Sequence, residues 1–344
     1  MLRAIAALMV VAHHAPQYLS NRVSFDFGTY AHGAAGVDIF FIISGFVMHQ
    51  ATYARHVSAA DFIKARLIRI VPMYWLCTSV LAGLAIFIPG LFNTFSISPA
   101  SALKSLFFLP VYNHLGVFRP VLAQGWTLQY EMLFYLTTGA ALLWWKRHAS
   151  FFSALAILIG VLGVNLAGID FHFSPWQILA PVSSEFIGGV LLGYAFTHKT
   201  MHSWRQHALA PYAGLAAIGL GYAIILQMDP SPLEPSRPVW GGGAWLIVFG
   251  FLLMEKPIAR LHAAVKQLHV LGDSSYALYL IHGLSFSAIS KIVPLQSLGH
   301  GAAALAVLII GALIFGILLH EWAELPINRQ IKALMPSRPR HATS

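Results

Sequence analysis

Residues 34–53 open Ala34-Ala35-Gly36-Val37-Asp38-Ile39-Phe40-Phe41-Ile42-Ile43-Ser44-Gly45-Phe46 and run on to Tyr53 with Asp38 as their one formal charge. At a rise of about 1.5 Å per residue, an apolar helix of about 20 residues matches the hydrocarbon core of a bilayer. Reading outward in both directions finds further runs of the same kind, at 2–20, 68–89, 123–145, 150–167, 176–196, 208–227, 239–254, 273–291 and 301–322. The expected fold is therefore all-α: a polytopic integral membrane helix bundle with about ten transmembrane helices. The apolar piece at 103–112 is too short to span and reads as an interfacial or re-entrant segment.

Composition points the same way. Of the 344 residues, 58% are hydrophobic and 10% charged, with a mean hydropathy of +0.69. A soluble domain carries about 25% charged residues, so ordinary globular and disordered classes are excluded. The net charge of +9 comes from only 21 Lys and Arg spread over the whole chain, so no basic domain supports nucleic-acid binding. Cys77 is the single cysteine, which excludes an intrachain disulfide and any multi-cysteine metal centre. No metal is expected, and Cys77, with no cation beside it in sequence, reads as an inert buried thiol. The first apolar run lacks a small-residue cleavage motif and holds His13 and His14, so a cleavable signal peptide is not expected.

Charge sets the orientation. With the N-terminus inside, only Arg22, Lys104, Arg119, Arg237 and Lys291 fall on the outer side, and every other Lys and Arg falls inside. That asymmetry predicts both termini in the cytoplasm. Residues 1–330 read as one transmembrane domain and 331–344 as a short basic cytoplasmic tail. Pro230 to Pro238 reads as a stiff outer loop. No internal repeat is visible, which counts against an inverted-repeat transporter.

Ionisable groups inside spans are costly, and each is a functional candidate. Arg3 and His14 lie eleven residues apart, about 1,100° of helical rotation, and so share one face of the first helix about 16 Å apart along its axis. His13 points elsewhere and is expected to be structural. Asp38 sits about one turn into its span, where it serves either catalysis or a structural ion pair. Glu131, in Trp126-Thr127-Leu128-Gln129-Tyr130-Glu131, lies about 9 Å below the outer end of its helix, near the depth of His14. A histidine and a carboxylate at one level suit general-base catalysis or a proton relay. Arg66 and Arg69 share a face at i, i+3; guanidinium forks suit phosphates, and a snorkelling anchor is the alternative. Tyr279 and His282 share a face of the ninth span and either border a cavity near the midplane or form a packing hydrogen bond. Glu324 before Pro326 reads as a helix stop.

In this order the segments resemble the acyltransferase 3 family of polytopic membrane acyltransferases. The resemblance rests on Arg3 and His14 with ten residues between them and on the Gly36-Val37-Asp38…Ser44-Gly45-Phe46 run. Arg66…Arg69…Pro72, Trp126-Thr127-Leu128…Glu131 and Ser275-Tyr276…Leu278-Tyr279…His282 complete it. The nearest likeness is to short bacterial members that O-acetylate exopolysaccharides of the succinoglycan type. It implies a bacterial inner-membrane enzyme moving an acetyl group from cytoplasmic acetyl-CoA, a cosubstrate and not a resident cofactor, to a sugar hydroxyl. It also implies a glycan acceptor, nascent or polyprenyl-linked, and a homo-oligomer or polysaccharide-assembly complex as setting. Carried over, His14 is the catalytic histidine, Glu131 its acidic partner (Asp38 the second candidate), and Arg3, Arg66 and Arg69 the functional arginines. Tyr279 and His282 would flank the donor. The chain begins almost on the first motif, without the family's usual polar lead-in, so a truncated start is an expectation, and Gln129-Tyr130 departs from the usual residues before the acid. A proton-coupled transporter or flippase using the same groups is the rival reading. A purely structural partner in a polysaccharide-assembly complex is the third.

Overall fold

The computed structural model describes residues 1–20, 30–53, 57–88, 97–112, 119–169, 175–227, 238–259, 262–298 and 301–334. Its helices are α1 (Leu2–Ser20), α2 (Gly36–Tyr53), α3 (Ala59–Phe87), α4 (Pro99–Leu106), α5 (Gly125–Trp145), α6 (Ala149–Leu166) and α7 (Ser184–Thr197). They continue with α8 (Lys199–Trp204), α9 (Ala210–Gln227), α10 (Pro238–Leu253), α11 (Glu255–Ala259), α12 (His262–Asp273), α13 (Ser275–Ile292), α14 (Gly301–Leu319) and α15 (Leu325–Ala333). The architecture is all-helical, as expected. Among the described residues, five helical stretches can by length and composition cross a membrane: Ala31–Tyr53, Ala59–Phe87, Gly125–Leu166, Ala210–Gln227 and Gly301–Ala333, with Val239–Leu253 apolar but shorter.

The exterior is the reverse of a soluble protein's. Leu166 is 88% exposed and Trp322 76%, whereas Asp38 is 2% exposed and Glu185, His282, His320 and Glu324 are buried. Lipid solvates the apolar rim and the polar groups turn inward to find one another. With little hydrophobic force between helices in lipid, close backbone approach holds them. At the crossing of α2 and α7, a Cβ on Gly45 would stand 2.1 Å from the Phe186 carbonyl oxygen, and one on Gly189 2.1 Å from that of Ile42. Gly189→Leu is therefore expected to cost about 3 kcal/mol or more, read as a lowered Tm in detergent. In the same way α9 meets α10 at Gly214 with Gly250 and at Gly221 with Gly243. Meanwhile α1 packs against both α2 and α13, which places its polar face in the interior.

Three boundaries differ from the sequence expectation. Ser58 caps α3, its Oγ accepting from the Asp61 backbone N–H, so the helix starts nine residues early and carries Arg66 and Arg69 within it. Residues 176–196 do not form one continuous helix. Pro181 has no N–H to give and holds Ala180 extended (φ −62°, ψ 158°), so 3-10 turns at Pro175–Leu179 and Pro181–Ser183 precede a shorter α7. Glu324 does not stop a helix. A turn of π-helix at His320–Glu324 carries α14 into α15, where Pro326 sits in the first turn and needs no N–H. The short segment expected at 103–112 is α4 and the chain after it, tied to α3 by the Tyr74 hydroxyl on the Ser105 carbonyl (3.0 Å) and the Trp75 indole on that of Leu106 (2.8 Å). The Pro230–Pro238 loop, apart from Pro238, lies outside the described residues, as does the tail beyond Leu334. Residues 331–333, expected as tail, belong to α15.

Candidate active site

Each face of α1 brings a different group inward. The rings of His14 and His282 (α13) stack with centroids 5.2 Å apart and planes 17° apart, and His13 meets His14 edge-on at 4.7 Å. His282 Nδ1 donates to the Tyr279 carbonyl (2.8 Å), which leaves its Nε2 as acceptor toward the Gln124 amide at 3.5 Å. One turn below, the Tyr279 hydroxyl donates to Thr127 Oγ1 (3.0 Å), since the Thr127 hydroxyl is itself committed to the Gln124 carbonyl. Tyr279 and His282 thus form one polar face joining α13 to the start of α5.

Below them a small cavity lies between α1, α2, α3, α5 and α13. Arg3, Phe40, Arg69, Glu131, Tyr276 and Tyr279 are among its lining residues. A second, roomier hollow shares Arg3, Arg69 and Tyr276 with it and adds Asp273, His320, Glu321 and Glu324. The two arginines and one tyrosine therefore form the wall between a chamber reaching Tyr279 and a vestibule at the α12 and α15 end. The Tyr276 hydroxyl donates to the Ile70 carbonyl (2.7 Å), fixing this wall to the helix that carries Arg69. Tyr276→Phe is expected to lose about 1 kcal/mol of stability, measured as Tm, for that single hydrogen bond.

The carboxylates are not where depth alone suggested. Glu131 accepts from Ser44 Oγ (3.3 Å) and from the Tyr135 hydroxyl (3.1 Å), and its charge acts on Arg3 and Arg66. Among the described residues His14 hydrogen-bonds Gln17, through Nδ1 and Oε1 at 3.3 Å, and not Glu131. Equal depth along two helices leaves their lateral separation open, and packing has put Glu131 with the arginines. Asp38 is hydrogen-bonded to Glu185 of α7, and Asp38 Oδ1 has no hydrogen-bond partner. Asp38→Ala is expected to lower Tm and folded yield, by about 3 kcal/mol for a disrupted buried pair, while kcat of the folded fraction is retained.

Arg66 lines neither hollow. Its guanidinium lies over the Phe62 ring at 5.4 Å and its buried Nε has no acceptor. Gln129 and Tyr130, which depart from the family's usual pair, bond the carbonyls of Leu109 (2.8 Å) and Gln177 (2.8 Å) and so serve packing. Cys77 is a buried free thiol. No group of three or more metal-ligating side chains occurs among the described residues. Sequence reasoning missed Gln17, Gln124, Glu185 and the His320–Glu324 hydrogen bond (2.7 Å). The i+3 and i+4 spacing of Gln17 from His14 and His13 was the one visible signal.

An acyltransferase domain matches residues 1–321. The chain belongs to the acyltransferase 3 family. It is 34% identical over 312 residues to the exopolysaccharide production protein ExoZ of Rhizobium meliloti (strain 1021), covering 88% of this chain and 91% of that one. It is also 32% identical to nodulation protein 10 of Rhizobium leguminosarum bv. viciae over 47% of this chain and 48% of the other. No solved structure matches it. The five ordered motifs that suggested the family lie within the matched residues, and Arg3, Arg69, Glu131 and Tyr279 of those motifs line one cavity.

Proposed function

We propose that the protein is a bacterial inner-membrane O-acetyltransferase that moves an acetyl group from acetyl-CoA to a hydroxyl of an exopolysaccharide or other cell-surface glycan. The acceptor is nascent or polyprenyl-linked, and ten spans place both termini in the cytoplasm. The observation that carries this reading is the pair of neighbouring hollows that share Arg3, Arg69 and Tyr276, one of them reaching Tyr279, one helical turn from the stacked His14 and His282. In this reading the anionic end of a long, thin thioester donor lies at the shared arginines. Arg3 and Arg69 offer guanidinium forks to its phosphates.

In this reading His14 accepts the proton of the acceptor hydroxyl as that oxygen attacks the acetyl carbonyl carbon. The carbon–sulfur bond then breaks, and His14 returns the proton to the departing thiolate, leaving an ester and a free thiol. Glu131 holds Arg3 and Arg66 in place, and Asp38 holds α2 to α7. Membership of an acyltransferase family favours this enzyme over the transporter. The test is to supply acetyl-labelled acetyl-CoA to membranes with and without the protein and to analyse acetyl esters on the exported polysaccharide. Label in ester form that depends on the protein supports the reading, and its absence with normal expression overturns it.

A further inference from the structure

His13 was set aside as structural, and Gln17 drew no notice in the sequence, yet the two residues and a backbone carbonyl decide which nitrogen of His14 is bare. The chain of hydrogen bonds starts at the Tyr30 carbonyl, which can only accept. His13 Nδ1 lies 3.0 Å from it and must carry the proton. In a neutral imidazole the other nitrogen is then an acceptor, so His13 Nε2 takes the bond from the Gln17 amide nitrogen at 3.3 Å. That direction orients the amide. Gln17 Oε1 is left facing His14 Nδ1 at 3.3 Å and accepts its proton. His14 therefore carries hydrogen on Nδ1, and Nε2 holds a free lone pair. Reversing the amide would require His13 to be doubly protonated inside the bundle, which is costly.

The anchor of this chain is rigid. The segment after Tyr30 meets α1 backbone to backbone, for a Cβ on Gly33 would stand 2.4 Å from the Met9 carbonyl oxygen and one on Gly36 2.4 Å from that of Ala6. Gln17 stands one helical turn from both histidines on the same helix, so the relay has little freedom to rearrange.

We propose that Gln17 and His13 are positioning residues that hold His14 as the Nδ1–H tautomer, with Nε2 ready to take the proton of the acceptor hydroxyl. The inference rests on the proposed role of His14 as base. It assigns to a neutral amide, backed by a second histidine, the orienting task that a carboxylate performs in serine hydrolases.

The full-length protein in nanodiscs, labelled with ¹⁵N-histidine, tests it by two readouts. The spectrum is expected to show His14, assigned through His14→Ala, protonated at Nδ1 and bare at Nε2; Gln17→Leu should give a mixture of tautomers. Kinetically, Gln17→Leu is expected to lower kcat about tenfold, from the lost fraction of competent tautomer and the lost hydrogen bond to the imidazolium, with KM for acetyl-CoA unchanged. Gln17→Glu, whose carboxylate still accepts from Nδ1, should recover most of the loss, and His13→Phe should lower kcat less than Gln17→Leu. The relay is overturned by a wild-type His14 protonated at Nε2, or by equal losses in Gln17→Leu and Gln17→Glu at unchanged Tm. Full activity in Gln17→Leu while His14→Ala is inactive also removes the relay and leaves the base intact. An active His14→Ala removes the base itself.

Discussion

Membranes carrying His14→Ala are expected to make polysaccharide without acetyl esters, with the transfer rate down by about three orders of magnitude at normal protein level. The reason is geometric. His14 sits face to face with His282, and its Nδ1 is engaged by Gln17, so Nε2 is the nitrogen left to serve the reaction. His282 cannot substitute freely, because its Nδ1–H is spent on the Tyr279 carbonyl and its Nε2 faces the Gln124 amide. Removing His14 leaves Arg3, Arg69 and the two hollows in place, so binding of acetyl-CoA, measured by calorimetry on purified protein, should persist. Full acetylation by His14→Ala would sink the assignment of the base. Lost binding along with lost activity would instead point to a collapsed site.

The second large effect concerns the shared wall. Arg3→Ala and Arg69→Ala are each expected to raise KM for acetyl-CoA about tenfold to a hundredfold. Hydrogen bonds to a charged group contribute about 1.5–3 kcal/mol, and 1.4 kcal/mol corresponds to tenfold. Arg69→Lys keeps the charge and loses the planar fork, so an intermediate KM is expected. The acceptor's KM should not move. Arg3→Ala should in addition lower Tm, because the charges of Glu131 and Glu324 both act on Arg3 and would be left without that cation. Steady-state kinetics with each substrate varied in turn separates these outcomes, and an unchanged KM for acetyl-CoA in both alanine variants would exclude the wall from donor binding.

Much of the fold could be read in advance because hydropathy is a local property. Helix is present in each apolar run expected to span, and where boundaries moved the cause was a cap, a proline or a π turn. Ser58 lengthened α3, Pro181 shortened α7, and the π turn at His320–Glu324 let α14 pass Glu324 instead of ending there. The candidate site was legible in kind. Arg3, Arg69, Glu131 and Tyr279 share a cavity and His14 stacks on His282, because buried polar groups in lipid have few partners except one another.

What chain arithmetic could not supply was lateral contact. The periodicity of α1 put Arg3 and His14 on one face and His13 on another, and the rise per residue put Glu131 near the level of His14. Nothing in either number says how far apart two helices stand or how each is turned about its axis. Those quantities come from backbone contacts such as Gly36 on the Ala6 carbonyl and Gly45 on that of Phe186. They gave Glu131 to Ser44, Asp38 to Glu185, and the ring face of His14 to His282. The sequence by itself determined the solvent, the helices and the depth of each polar group. Tertiary packing alone decided the partners, since hydrogen bonds reach only about 3 Å and a helix turned by one residue presents a different side chain.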